Sequence, residues 1–174
     1  LLENEDKLRK TGKFSNHRRY TGFNPHSKTG LQTVIKNYQL WINIYGDHEA
    51  LLNQIIIKSN KSSLSLFKTF YSAIPIGLSL ARLGKFDFLT MVSKVGILKM
   101  EPDSTYLVGS SGPKSGAILL FYGSNNVKKI DLKLLQDKFD LLGTTLDIPY
   151  CMQVLEDSVC NWQKSPTTYK YFKG

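Results

Sequence analysis

Apolar residues alternate with polar ones early in the chain: Val34, Tyr38, Leu40, Ile42 and Ile44 are apolar, while Asn37, Gln39 and Asn43 fall between them. That period of two predicts a half-buried strand over residues 33–45. Gly46 closes it. Asp47, whose carboxylate accepts backbone N–H groups, predicts the start of a helix running to about residue 58, with Ala50, Leu51, Gln54 and Ile55 along one side. The β-branched run Ile55, Ile56, Ile57 leaves a strand open there. After a polar break at 60–63, a helix or strand over 64–74 stops at Pro75, which removes a donor and restricts the residue before it.

Further on, residues 86–95 are short and mixed, and their state is left open, with a strand the favoured reading. Residues 105–108 and 117–122 are apolar and β-prone, and they flank Gly109, Ser110, Ser111, Gly112, Pro113, Lys114, Ser115 and Gly116. This predicts a hairpin with a long exposed tip. Leu132, Leu135, Phe139 and Leu142 then recur at helical steps, with Lys133, Gln136, Asp137 and Lys138 opposite them and Gly143 just beyond. Residues 150–159 and 168–172 read as final strands. The resulting expectation is an α+β fold, a single compact domain over 31–174 with a mostly antiparallel sheet packed by two or three helices.

Charge adds a second region. Between residues 7 and 28 the chain carries Lys7, Arg9, Lys10, Lys13, Arg18, Arg19 and Lys28 with no acid, so residues 1–30 read as a flexible basic arm that cannot bury enough apolar surface to order itself. Residues 1–100 hold fifteen Lys/Arg against six Asp/Glu, whereas 101–174 hold eight of each, so the net +9 lies in the first part. An anionic partner follows, either a phosphodiester backbone or anionic lipid headgroups. Phe14, Tyr20 and Phe23 punctuate the arm. Their rings suit docking into a neighbour or a lipid surface, or stacking on bases, with Phe23 alternatively the first core residue.

Candidate chemistry is sparse. Asp47, His48 and Glu49 are consecutive, so on a helix they diverge and cannot serve one substrate atom; an acid-rich helix start explains them. The 109–116 segment departs from the phosphate-cradling loop because Lys114 follows Pro113, a residue with no N–H. Lys114 remains a candidate contact to phosphate or a partner, against the reading of an ordinary solvated turn. Cys151 and Cys160 lack companions at zinc spacing and read as reduced thiols in a cytosolic setting. The apolar stretch 70–83 is too interrupted to span a membrane. No signal peptide pattern opens the chain, and its first residue, Leu1, leads us to expect a trimmed N-terminus. No catalytic residue, metal site or cofactor is expected from these patterns.

The basic head, a strand over 33–45, a helix opening at Asp47, a hairpin over 105–122, and a late helix ending in Leu141, Leu142 and Gly143 before terminal strands with Tyr169 resemble the matrix protein of rhabdoviruses and their plant-infecting relatives. The resemblance implies a non-enzymatic structural protein of virion assembly. It would bind ribonucleoprotein or RNA and an anionic membrane surface, self-associate, take no small-molecule substrate, and reside in the virion and host cytoplasm peripheral to membrane, with the nucleus as a further location. Lys7, Arg9, Lys10, Lys13, Arg18 and Arg19 would then be electrostatic contacts, and Phe14, Tyr20 or Phe23 docking side chains. The proline-rich budding motif of animal members is missing. An RNA-binding module without lipid affinity is the alternative, and a hydrolase or transferase with an unrecognised site, testable by His48→Ala, is a third reading.

Overall fold

A computed structural model describes residues 30–75, 78 and 80–169. Its regular elements are helices throughout: α1 (Leu31–Tyr45), α2 (His48–Lys58), α3 (Ser63–Ala73), α4 (Arg82–Lys94), α5 (Gly112–Tyr122), α6 (Leu132–Thr144) and α7 (Cys151–Trp162). Among the described residues there is no strand, so the α+β sheet expectation is corrected to an all-helical fold. The chain divides into two compact units, Leu1–Met100 and Glu101–Gly174.

In the first unit, the alternation over 34–44 belongs to a helix. A strand would place Leu40, Ile42 and Ile44 on one face, yet Ile42 is buried while Leu40 is 55% and Ile44 78% exposed. The buried pair Trp41 and Ile42 is adjacent in sequence and extends the helical face that carries Tyr38 and Tyr45. Helix α2 starts where expected, with Asp47 Oδ1 accepting the Ala50 N–H at 2.8 Å. The triple isoleucine stays helical, with Ile55 buried and Ile57 74% exposed. The modest β preference of these residues is outweighed by what burying Leu51 and Ile55 on one stripe contributes. Helix α3 ends one residue short of the Ile74–Pro75 pair, as the proline restriction requires.

The segment 86–95, left open with a strand favoured, belongs to α4, because Phe86, Leu89, Thr90 and Ser93 are buried at steps of three, one and three. Its ring at Phe86 meets Phe67 of α3 edge-on, with centroids 5.8 Å apart. Lys85 reaches back so that its Nζ donates to the Tyr71 and Ile74 carbonyls at the end of α3, and it lies over the Tyr71 ring. Carbonyls that the helix leaves unpaired are thus satisfied. Ser93 Oγ bonds both the N–H and the carbonyl of Met100, fixing the turn after α4.

In the second unit, α5, α6 and α7 pack around Leu107, Ala117, Ile118, Leu135, Phe139, Leu155 and Val159. The expected hairpin is absent. Residues 112–122 form α5, with Pro113 in the first turn where its missing N–H leaves nothing unsatisfied. A glycine inside a helix, as Gly116 is, is unfavourable by about 1 kcal/mol, and here close packing accounts for it and for Gly112 at the helix start. A Cβ on Gly112 would lie 2.5 Å from Cys160 Sγ of α7, and one on Gly116 would run into the Val159 carbonyl. Helix α6 begins at the Asp131 cap, whose Oδ1 accepts from Lys133 N and Leu134 N. Gly143 does not follow that helix but lies within it, where a Cβ would come 2.6 Å from Met152 Sδ. Residues 150–159 are not a strand, since Met152, Leu155, Glu156 and Val159 repeat at helical steps and are buried together in α7. Thr168 and Tyr169 form no strand, and residues 170–172 lie outside the described residues.

Candidate active site

Residues 101–111 carry no regular structure, yet side-chain hydrogen bonds fix many of them. Asp140, on α6, is the main anchor. Its Oδ2 accepts from Ser104 Oγ at 2.6 Å, and its Oδ1 accepts from Thr105 N at 2.8 Å and Thr105 Oγ1 at 2.6 Å. Phe139 beside it is fully buried, so the helix is held by its apolar face while Asp140 points its carboxylate at the segment. Hydrogen bonds to an ionised acceptor are about twice as strong as neutral ones, which allows an extended segment to keep one shape without a partner strand.

The rest of the segment is fixed in the same way. Tyr106 N donates to Ser104 Oγ at 3.0 Å and Tyr106 OH to Asp103 Oδ1 at 2.7 Å. These contacts hold Tyr106 at φ 49°, a left-handed conformation unfavourable by about 1–2 kcal/mol for a side chain of its size. Val108 N reaches Gln136 Oε1 at 3.4 Å, and Ser110 closes a turn onto the Leu107 carbonyl. At the other end, Glu101 Oε2 accepts from the N–H of Tyr150 at 3.1 Å. Tyr150 begins α7 and is itself left-handed at φ 55°. Strained residues of this kind persist only where the surroundings over-determine them, and they gather at functional sites.

The segment feeds directly into the first turn of α5. That turn contains no acid and no side-chain cap, and its third residue is the half-buried Lys114. The backbone N–H groups of Gly112 and Lys114 face the open end of the helix, where the dipole favours an anion. Among the carboxylates of this unit, Asp140, Asp103 and Glu101 are engaged by the segment, and Asp137 pairs with Lys133 at 2.7 Å. Asp131 differs: both of its amide partners use Oδ1, and Oδ2 accepts nothing among the described residues.

Lys114 is the one candidate from the sequence that falls here, at a helix start and not at a hairpin tip. Lys7, Arg9, Lys10, Lys13, Arg18, Arg19 and Lys28, and likewise Phe14, Tyr20 and Phe23, lie outside the described residues. Asp47 acts as a cap, and His48 shares a 2.8 Å hydrogen bond with Tyr38 OH, so the Asp47, His48, Glu49 run does not converge. Sequence reasoning missed Asp140, Thr105 and Glu156. The signal for Asp140 was its place next to Phe139 in the helical repeat, with the hydroxyl-rich run Ser104, Thr105 and Tyr106 as the partner it would need. Glu156 was hidden by the strand reading of 150–159, which singled out none of its residues; it is 3% exposed.

Carboxylates and hydroxyls thus fix the 101–111 segment, and Lys114 lies in the first turn of the helix that follows it. The chain matches the family Alpha-glutamyl/putrescinyl thymine pyrophosphorylase clade 3 over residues 1–174, and it belongs to that family. No curated protein and no solved structure matches it. The family is one of enzymes, which overturns the resemblance to a viral matrix protein and, with it, the non-enzymatic, virion-assembly and membrane-associated expectations. The RNA-binding alternative is unsupported as well. The partner set of ribonucleoprotein, membrane and self, with no small-molecule substrate, gives way to substrate chemistry of a nucleotide or DNA kind. The resemblance failed for a physical reason: it was built on the order of strands and a hairpin that are helices α1, α5 and α7.

Proposed function

We propose that this chain catalyses exchange between pyrophosphate and an amine at the methyl carbon of a modified thymine. The observation that carries this reading is the family match across all 174 residues, since the family name joins thymine, an α-glutamyl or putrescinyl substituent, and pyrophosphate. In the synthetic direction the amine lone pair forms the C–N bond while the C–O bond breaks. The electron pair leaves with the pyrophosphate oxygen, and the amine proton passes to a base. The reverse reaction is pyrophosphorolysis.

Unit two supplies groups suited to each need. Lys114 and the open N–H groups at the start of α5 would hold the pyrophosphate, a use of the helix end that neutralises charge developing on the leaving group. Asp131 would take the proton through Oδ2, because its orientation is already set by the two amides on Oδ1. Asp140 acts on neither substrate; it positions the segment between them. The basic Leu1–Met100 unit suits the polyanion in which a thymine is carried.

The test is release of pyrophosphate from an oligonucleotide bearing a pyrophosphorylated 5-hydroxymethyluracil in the presence of putrescine. Lys114→Ala is expected to raise the KM for this substrate about tenfold or more. Asp131→Asn, which still caps α6, is expected to lower kcat about a hundredfold while leaving thermal stability close to wild type. No release by the wild-type chain, and no weakening of pyrophosphate binding in Lys114→Ala, would overturn the proposal.

A further inference from the structure

We infer that Trp162 is the surface on which the thymine ring stacks, at the end of unit two that carries Lys114 and Asp131; this rests on the exchange reaction proposed above. Trp162 closes α7 and is 37% exposed, and neither its ring nor its indole N–H has a partner among the described residues. A tryptophan usually buries most of its large face, so one left open at an ordered helix end requires a reason. The end is ordered by its own side chains. Asn161 Nδ2 donates to the Asp157 carbonyl, Gln163 Nε2 to the Cys160 carbonyl, and Lys164 Nζ to Asn161 Oδ1.

Two close approaches place the ring. A Cβ on Gly112 would lie 2.5 Å from Cys160 Sγ, so the first turn of α5, with Lys114, lies against the last turn of α7. A Cβ on Gly143 would come 2.6 Å from Met152 Sδ and 3.5 Å from Leu155 Cδ2, so the last turn of α6 lies against the start of α7. Residues 145–150 join these two helices of thirteen and twelve residues, which therefore run antiparallel, and the Asp131 end of α6 falls at the Trp162 end of α7. Leu155, Val159 and Trp162 follow at steps of four and three and form one stripe. Its first two members share a core with Leu135 of α6. The third carries the stripe out of that core toward the first turn of α6, where Leu132 is 39% exposed.

An open indole face takes a flat π-system. The surrounding charge favours a nucleobase over an apolar side chain of another protein. Lys128 and Lys129 are exposed just ahead of the Asp131 cap, and Lys164 follows Trp162 by two residues, so this end is lined by cations that suit a base carried between phosphates. The indole N–H, a donor only, also matches the carbonyl oxygens of a pyrimidine. A thymine stacked there presents its methyl carbon at the end of the unit where Lys114 would hold pyrophosphate and Asp131 would take the proton.

The experiment follows tryptophan fluorescence of the full chain as oligonucleotides are added. The chain has two tryptophans, and Trp41 is only 6% exposed, so stacking is read at Trp162. A single strand of abasic positions with one 5-hydroxymethyluracil is expected to quench, and the same strand without that base to bind without quenching. Trp162→Phe should abolish the quench while retaining most of the affinity. Trp162→Ala should weaken the base-bearing strand about tenfold or more and leave the abasic strand unchanged. In the release assay Trp162→Ala should raise KM by a similar factor with kcat little altered, and Trp162→Phe should recover most of the loss. A tryptophan with a packing role alone would lower the melting temperature without separating the two strands. Should Trp162→Ala fail to fold, Trp162→Phe decides: a quench that survives in it overturns the inference, as does equal quenching of wild type by the abasic strand. Binding requires no chemistry, so base-dependent quenching without pyrophosphate release counts against the exchange reaction alone. Release with an unchanged KM in Trp162→Ala counts against the stacking role alone.

Discussion

Oδ1 of Asp140 accepts both the backbone N–H and the hydroxyl of Thr105, so two bonds of 2.8 and 2.6 Å span 35 residues of sequence. With the Ser104 hydroxyl on its other oxygen, one half-buried carboxylate fixes a segment that has no strand beside it. Asp140→Ala should therefore lower the free energy of unfolding by about 2–4 kcal/mol, given about 1.5–3 kcal/mol for a hydrogen bond to a charged group and a discount for partial exposure. Urea denaturation measures it. Amide exchange at Thr105 should accelerate well beyond that at Leu135, and a loss under about 1 kcal/mol would show that the segment is held by something else.

Gly116 separates helix propensity from packing. Propensity alone makes Gly116→Ala stabilising by about 1 kcal/mol. The new methyl would meet the Val159 backbone carbonyl, which cannot turn aside as a side chain can. Net destabilisation of about 1–3 kcal/mol is expected from overpacking, read from the midpoint of chemical unfolding. A variant more stable than wild type would mean that α5 and α7 are less closely apposed.

Two groups give the first unit opposite responses to alkaline pH. Burial raises the Tyr38 pKa above its ordinary 10.0. The folded state then holds that proton more tightly than the unfolded one, so the contribution is complete below pH 10 and fades as pH rises through the folded value. Burial lowers the Lys85 pKa from 10.5. Here the unfolded state holds the proton more tightly, so stability gains as pH climbs from the lowered value to 10.5. Melting temperatures between pH 8 and 11 should show a flatter decline for Tyr38→Phe and a steeper one for Lys85→Met, each relative to wild type. Parallel curves for all three proteins would refute both assignments.

Cys160 offers a fourth measurement. Its Sγ lies so near Gly112 that a Cβ there would be 2.5 Å away. Alkylation of Cys160 by iodoacetamide should be slowed at least tenfold in the folded chain relative to the chain in urea, and Gly112→Ala should restore part of the rate by pushing the two helices apart. Mass spectrometry of the Cys160 peptide reads it directly, and equal rates in both variants would exclude the contact.

What the sequence made legible were helices with a cap or a long repeat. Asp47 signalled α2, and Leu132, Leu135, Phe139 and Leu142 signalled α6, because each rests on a local bond or on several turns of periodicity. Elements of eleven to fifteen residues with mixed faces were misread. In α1 the polar Asn37, Gln39 and Asn43 fell between apolar residues at odd positions, yet the side chains sort by helical turns once Trp41 and Ile42 are buried together. In α5 the glycines that resemble a turn are where a neighbouring helix approaches, a property of tertiary structure that no local window contains. The same limit hid the site. Asp140, Thr105, Glu101 and Tyr150 are polar residues scattered over 50 positions, and only the packing of α6 and α7 brings them to one segment. Lys114 was visible because a lysine among glycines and serines stands out, although its setting was not.

The touching pair Gly112 and Cys160 has one practical outcome. The proposed anion contact begins at the very turn of α5 that shields this sulfur. A thiol reagent is thus a built-in gauge: whatever seats or loosens that turn, pyrophosphate included, should be legible as a change in the reaction rate at a single atom.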